Sequence, residues 1–202
     1  MDIYEACKTG NMEWLIEQQE AGTLGDLMTP IYVKTGDEDG YDAYPHTLAV
    51  ENGHIPVVKW LVIESGHQVD LTVDNNSAVR WAAKFGQLDM IKWLVNESGQ
   101  HVDVTARDNW AVGVAAQNGH LDVVKWLVKE SGQQVDVTVD DNFAVGAAAQ
   151  NGHLDVVMWL VKESGQQVDV TVRNNGPIRA AAQNGHLDVV RWLTKELLNG
   201  PR

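Results

Sequence analysis

Four histidines recur at multiples of 33 residues and have side chains that could hold a metal ion or act as general bases: His54, His120, His153 and His186. Gln87 stands at the same place in one copy, and an amide cannot act as a general base. Helices that pack about 10 Å apart also keep such rings too far from one another to share an ion. We therefore interpret these histidines as structural residues that tie a turn.

Two further groups with chemical potential lie near the N-terminus. Cys7 falls on the apolar face of a predicted helix without an electropositive neighbour, which favours a small buried hydrophobe over a nucleophile. Residues 37–42 carry alternating carboxylates before Gly40, a pattern that calcium loops share, but Leu48 stands where the bidentate glutamate is needed. We expect a solvated acidic loop or a contact site for a basic partner, with an ion site as the alternative.

Catalysis and cofactor binding are not predicted. The sequence has no glycine-rich phosphate loop, and no spacing suggests a nucleophile with its base and orienting group. We expect no enzyme activity and no cofactor.

Composition narrows the function classes further. The 202 residues carry a net charge of −13 and one cysteine, which argues against nucleic-acid binding and against a disulfide framework. Residues 1–50 contain 10 acidic and 2 basic residues, so −8 of the charge lies there. No apolar run is long enough to cross a membrane, and the N-terminus lacks the features of a secretory signal. We expect a cytoplasmic, intracellular protein.

The elements that position these residues repeat with a period of 33. Tryptophan recurs at this step, at Trp60, Trp93, Trp126, Trp159 and Trp192. Residues 119–139 and 152–172 differ only by Lys125 and Met158. Such a period predicts one supersecondary unit stacked on itself, with the tryptophans packed between units.

Each unit is predicted to contain two helices joined by a tight turn and followed by an extended loop. In one copy an alanine-rich first helix runs to Gly152, with Asn142 expected to cap its start. The second helix runs from about Leu154 to Glu163, where apolar residues recur at three- and four-residue steps. Neither helix buries its apolar face alone, so stability must come from stacking.

These features resemble the ankyrin-repeat family. The matching elements are the 33-residue period, the Ala-Ala-x-x-Gly-His core seen at Ala115, Ala116, Gly119 and His120, and the Leu-Asp-Val-Val-x-Trp-Leu-Val second helix. The resemblance implies an all-α solenoid of about six helix-turn-helix units in a single domain, residues 1–202. Within it we expect an N-terminal capping repeat with an acidic insertion (1–42), four internal repeats (43–174) and a C-terminal repeat (175–202).

The chain departs from the family pattern at the start of the first helix. The usual Thr-Pro-Leu-His tetrad is replaced, for example by Trp110-Ala111-Val112-Gly113, and the loop before it is about three residues short. We expect short finger loops instead of long β-hairpins.

Positions that differ between near-identical copies are the best indicators of a binding surface. By the geometry of the family they fall on the finger tips and on the concave side of the first helices, where Trp110 and Phe143 should be neighbours. The candidate partner-binding residues are Trp110, Phe143, Arg80, Lys84, Phe85, Arg107, Asp140, Gln117, Gln150, Arg173 and Arg179. Aromatic residues with arginines around them are typical of interaction hot spots.

The resemblance therefore implies a module that binds a partner protein or peptide along its concave face. We expect a monomer, and from the charge and hydropathy we expect it to bind neither nucleic acid nor membrane. Two alternatives remain open. Near-identical copies are also compatible with a passive spacer array, or with a fragment of a larger protein. End-to-end self-association through the C-terminal repeat is the other.

Overall fold

The computed structural model describes residues 1–34 and 40–199, and in this part of the chain twelve α-helices follow one another in six pairs. A π-helical turn, Trp60–Glu64, continues the fourth helix. The first members of the pairs are α1 (Ile3–Thr9), α3 (Pro45–Glu51), α5 (Val73–Lys84), α7 (Ala106–Gln117), α9 (Val139–Gln150) and α11 (Val172–Gln183). The second members are α2 (Met12–Glu20), α4 (Ile55–Lys59), α6 (Leu88–Asn96), α8 (Leu121–Lys129), α10 (Leu154–Lys162) and α12 (Leu187–Asn199).

One element was not predicted from the sequence. Strands β1 (Ile31–Lys34) and β2 (Gly40–Ala43) form an antiparallel hairpin in the insertion, with Ile31 opposite Ala43. Ile31, Tyr32 and Val33 are β-branched or aromatic residues, which favour an extended chain. Residues 35–39, which include the first half of the predicted acidic loop 37–42, lie outside the described residues.

The chain divides into two compact units. Unit 1 comprises Met1–Ala82 and Asp89–Val102, and unit 2 comprises Ala83–Leu88 and Asp103–Arg202. The single domain over residues 1–202, with its internal boundaries, stays a prediction.

The core of both units follows the predicted period. Trp60, Trp93, Trp126 and Trp159 are only 4–5% exposed, and the leucine that follows each of them is fully buried. Burying such side chains stabilises a fold by about 2 kcal/mol each. These four tryptophans therefore belong to the framework, whereas Trp192 in α12 is only half-buried.

The turn between the two helices of a pair depends on a glycine and a histidine from successive repeats. Gly119 adopts a left-handed backbone with φ of 78°, which costs glycine little. The ring of His153 lies against it, and His153 Nε2 donates a hydrogen bond to the carbonyl oxygen of Gln117 at 3.0 Å. His120 binds the carbonyl oxygen of Lys84 in the same way at 3.0 Å. The structure thus gives these histidines the turn-tying role that the sequence predicts.

A second connection between repeats comes from glutamines placed after the second helix. The carboxamide of Gln166 donates to the carbonyl oxygen of Val135 at 2.7 Å and accepts from the N–H of Val137 at 2.9 Å. Gln100 makes the same two bonds to Val69 and Leu71, at 2.6 and 2.8 Å. These side chains satisfy backbone groups of an extended segment that has no strand partner within the described residues.

The N-terminal cysteine is confirmed as a structural residue. Cys7 is fully buried within unit 1, and its burial raises the pKa of the thiol to about 12. A thiol that stays protonated is a poor nucleophile.

A buried histidine lies in unit 1. His46 is fully buried in α3, its ring stacks on Tyr44 with centroids 5.6 Å apart, and neither ring nitrogen has a hydrogen-bond partner among the described residues. Burial lowers the pKa of His46 to about 4, against a smaller opposing effect of Asp70. The folded chain therefore holds this ring neutral.

The turn glycines provide a test of the histidine contact. A Cβ atom on Gly119 would lie 2.5 Å from the ring of His153, whereas one on Gly132 would meet nothing within 4 Å. Both residues have positive φ, so Gly132→Ala carries only the backbone cost of about 1 kcal/mol. Gly119→Ala also displaces the His153 ring, and we expect it to lose about 3 kcal/mol in urea unfolding. Equal losses in the two variants would show that the ring contact contributes nothing.

Because His46 is buried in its neutral form, we expect the stability of the fold to decrease in acid. Because its folded pKa lies below the ordinary value of 6.5, the folded state loses stability as the pH falls from 6.5 towards 4. The loss amounts to about 3 kcal/mol at pH 4. Urea unfolding of His46→Leu at pH 7 and at pH 4 should show a smaller drop than the parent. His101→Leu, which changes an exposed histidine of the same unit, should keep the parental drop. If His46→Leu keeps it too, the buried ring is not its source.

Candidate functional site

The first helices of the last four repeats open on an unusual turn. Three successive residues have left-handed backbones, with φ between 48° and 60°. The four turns are 74–76, 107–109, 140–142 and 173–175. Aspartate and asparagine tolerate this conformation better than most residues, and they fill ten of the twelve places. In each of these four repeats the finger is thus one short turn, without a strand in the described residues 66–76 or their copies.

Local hydrogen bonds fix each turn. In α7 the N–H of Asn109 donates to the carbonyl oxygen of Thr105 at 2.8 Å. Asp103 accepts from the N–H and the hydroxyl of Thr105 at 2.8 and 2.7 Å. In the last repeat the equivalent bonds from Thr171 lower the pKa of Asp169. The right-handed helix can begin only after the turn, at Trp110, and at Phe143 in the next copy.

Asn142 does not take the capping role predicted for it. Its side-chain oxygen instead accepts from the N–H of Asp169 in the following repeat, at 3.2 Å. Asn109 reaches the N–H of Asp136 in the same way at 3.1 Å. These bonds hold neighbouring turns of unit 2 in register and so fix the residues that follow them.

Trp110 and Phe143 are brought together as the sequence predicts. Their rings stack with centroids 5.3 Å apart and planes 10° apart. Trp110 remains 40% exposed and Phe143 is half-buried. Such a pair contributes about 1 kcal/mol beyond its buried area. The stack is thus both a contact between two repeats and an aromatic surface open to solvent.

Charged side chains lie in the turns that precede the two aromatic residues and in the next turn along the chain. Arg173 Nε donates to Asp141 at 2.9 Å, and the same guanidinium lies 3.5 Å from Asp140. All three side chains are at least 60% exposed, so these pairs contribute little to stability. Arg107 and Arg179 are also exposed.

The remaining predicted residues fall into two groups. Arg80 lies in unit 1, where it pairs with Asp74 at 3.0 Å and also donates to two backbone carbonyls of its own turn. The others belong to unit 2 and are exposed: Lys84, Phe85, Gln117 and Gln150. Lys84 Nζ lies 5.5 Å from the centroid of the Phe85 ring. Arg80 thus has a structural use that the sequence analysis did not predict.

Two contributors to this surface were absent from the predicted set. Asp141 binds Arg173, and Gly113 lies under the Phe143 ring, where a Cβ atom would come within 2.8 Å of two ring carbons. The sequence holds a signal for the second. A large residue at 143 coincides with a glycine at 113 one repeat earlier.

A second surface feature of unit 2 is an open groove of about 660 Å³ between two loops. It is lined by Val128, Gln133, Gln134, Val135, Asp136, Thr138, Gln166 and Gln167. Gln166 is already bonded to the backbone of the preceding repeat, and Asp136 is the one charged side chain of the lining. The groove therefore offers fewer free recognition groups than the aromatic surface.

The described part of the chain contains neither a group of metal-binding side chains nor a membrane-spanning helix. Within residues 1–34 and 40–199, no three of the histidine, cysteine, aspartate and glutamate side chains are grouped as a metal ion requires. None of the helices that the structure describes has the length and apolar character needed to cross a membrane.

Comparison with known proteins agrees with the repeat architecture. The family model for ankyrin repeats matches three overlapping stretches, residues 3–108, 46–141 and 112–200. No curated protein sequence matches the chain significantly. Ankyrin repeats are generally protein–protein interaction modules and are typically non-catalytic. The predicted fold class, an all-α ankyrin-repeat solenoid, is confirmed. The chain belongs to the ankyrin-repeat family.

Proposed function

We propose that the chain binds a partner protein or peptide on the surface formed by α7, α9 and α11, including the left-handed turns on which these helices open. We call this the first-helix surface of unit 2. The observation that carries the proposal is the stacked and partly exposed pair of Trp110 and Phe143. Exposed aromatic side chains with arginines beside them are enriched in the energetic centres of protein interfaces.

The surface is also ordered before any partner arrives. The Trp110 ring is held against Phe143, and bonds from Asn109 and Asn142 fix the adjacent turns. Binding therefore loses little side-chain and loop entropy, which is a major cost of association. The charged and polar residues around the pair serve as a rim: Arg107, Asp140, Arg173, Arg179, Gln117 and Gln150.

The proposal extends to properties that follow from the sequence. Lys84 and Phe85 form a second exposed contact in unit 2. In unit 1, Arg80 is proposed as a contact of its own, on the turn that it closes. The module acts by binding alone, without catalysis, cofactor or nucleic acid. It works in the cytoplasm, in keeping with its one cysteine, which is free and buried.

The first test removes the aromatic pair. We expect the purified parent chain to capture a defined partner from lysate, identified by mass spectrometry. Trp110→Asp combined with Phe143→Asp should reduce that capture at least about tenfold, because truncated hot spots cost about 2 kcal/mol or more. Circular dichroism and thermal melting must show that the double variant is folded.

The matched control is Gln134→Asp combined with Gln167→Asp. It adds the same two charges at the same 33-residue spacing, in the loops that line the 660 Å³ groove. Capture should survive this change. Loss of capture in the control alone would move the site to the groove. A parent chain that captures nothing would favour the passive spacer.

Self-association is the second candidate, because α12 exposes three leucines: Leu187, Leu197 and Leu198. Leu198 is 80% exposed. We expect light scattering to report one monomeric mass over a wide concentration range. A mass that rises with concentration, and that Leu198→Glu returns to the monomer value, would replace this expectation with end-to-end association.

A further inference from the structure

The positions of Phe143 and Gly113 define a contact that recurs in the repeat pattern. In each of the last four repeats a variable residue follows the left-handed turn, and another variable residue lies three positions later. The first residues are Ser77, Trp110, Phe143 and Gly176, and the second are Arg80, Gly113, Gly146 and Arg179. Phe143 shows how the two sets meet, since its ring lies directly over Gly113 of the preceding repeat.

The next copy of this contact is empty. Gly146 is the equivalent of Gly113, and a Cβ atom on it would meet nothing within 4 Å. The residue that would cover it, by the equivalence of the repeats, is Gly176, which has no side chain. We call this space the Gly146 slot. By the equivalence of the repeats it is bordered by Phe143, Gly146 and Gly176, all of which belong to unit 2.

The same equivalence specifies what the slot accepts. A ring placed over Gly146 as Phe143 is placed over Gly113 would stack on Phe143 as Phe143 stacks on Trp110. The stacking distance of the existing pair is 5.3 Å between nearly parallel planes. The aromatic neighbour favours a planar aromatic side chain over an aliphatic one.

The charges beside the slot add a second requirement. Arg173 is engaged by Asp140 and Asp141, as described above. Arg179, three residues after Gly176, is exposed and forms no ion pair with any of the described residues. A guanidinium in this state favours a carboxylate from a bound partner.

We propose that the Gly146 slot receives an aromatic side chain of the partner and that Arg179 binds a carboxylate next to it. The partner thus extends the stack of Trp110 and Phe143 by a third ring. This inference rests on the proposed function and names the chemistry of the ligand.

The test uses the full chain and a display library of random peptides. Selection on the parent chain should enrich peptides with a tryptophan, tyrosine or phenylalanine beside an aspartate or glutamate. Gly176→Phe supplies the third ring from the chain itself and should weaken the selected peptides at least about tenfold. Gly146→Leu fills the floor of the slot and serves as the second variant if the first fails to fold. Arg179→Glu should weaken acidic peptides about fivefold.

Leu198→Phe is the matched control, because it adds a ring at an exposed position of α12 without changing the charge. It should leave peptide binding unchanged. The inference is overturned if no peptide is enriched, if the enriched peptides lack aromatic residues, or if Gly176→Phe and Gly146→Leu bind them as the parent does. If binding survives both slot variants but is lost in Trp110→Asp with Phe143→Asp, the proposed function stands and only the slot is wrong. Binding that survives every variant contradicts both.

Discussion

The repeats of this chain depend on side chains that satisfy the backbone of the neighbouring repeat. The loops after α4, α6, α8 and α10 are extended, yet no strand pairs with them in the described residues, and unpaired backbone groups are costly when they lose water. Glutamine, histidine and asparagine side chains supply the missing partners. Gln166 bonds to the backbone of Val135 and Val137. His153 bonds to the carbonyl oxygen of Gln117, and Asn142 bonds to the N–H of Asp169. The positions of the first helices, and of the surface they carry, follow from these bonds.

Sequence was sufficient for the parts of the fold that follow from local pattern. The period of 33 predicted the helix pairs, the buried tryptophans and the turn histidines, since each signal recurs in several copies. It also predicted that Trp110 and Phe143 are neighbours. The glutamine bonds were not predicted, because Gln166 finds its partners 29 and 31 residues away and nothing local marks that distance. Gly113 was missed for the same reason, since its role exists only relative to a ring in the next repeat.

The left-handed turns could not be read from residue types either. Three successive left-handed residues cost about 1 kcal/mol each when they are not glycine, and Arg107 and Arg173 are poor candidates for this backbone. The turns persist because hydrogen bonds inside the repeat and from the next repeat compensate. The same bonds make the loop rigid, so a costly backbone holds Trp110 and Phe143 in one orientation.

The glutamine bond also bears on how such a chain changes over generations. Gln133 and Gln166 stand at equivalent positions of segments 119–139 and 152–172, which differ by one residue. Each glutamine can therefore form the backbone bond that the other one forms in its own repeat. Unequal recombination between the two segments removes or adds 33 residues. After such a change each glutamine carboxamide still lies against an equivalent stretch of backbone in the preceding repeat. The number of repeats can therefore change without loss of these bonds. Trp110, Phe143 and Gly176 differ from one another although they occupy the same position of the repeat, so selection acts on each of them separately.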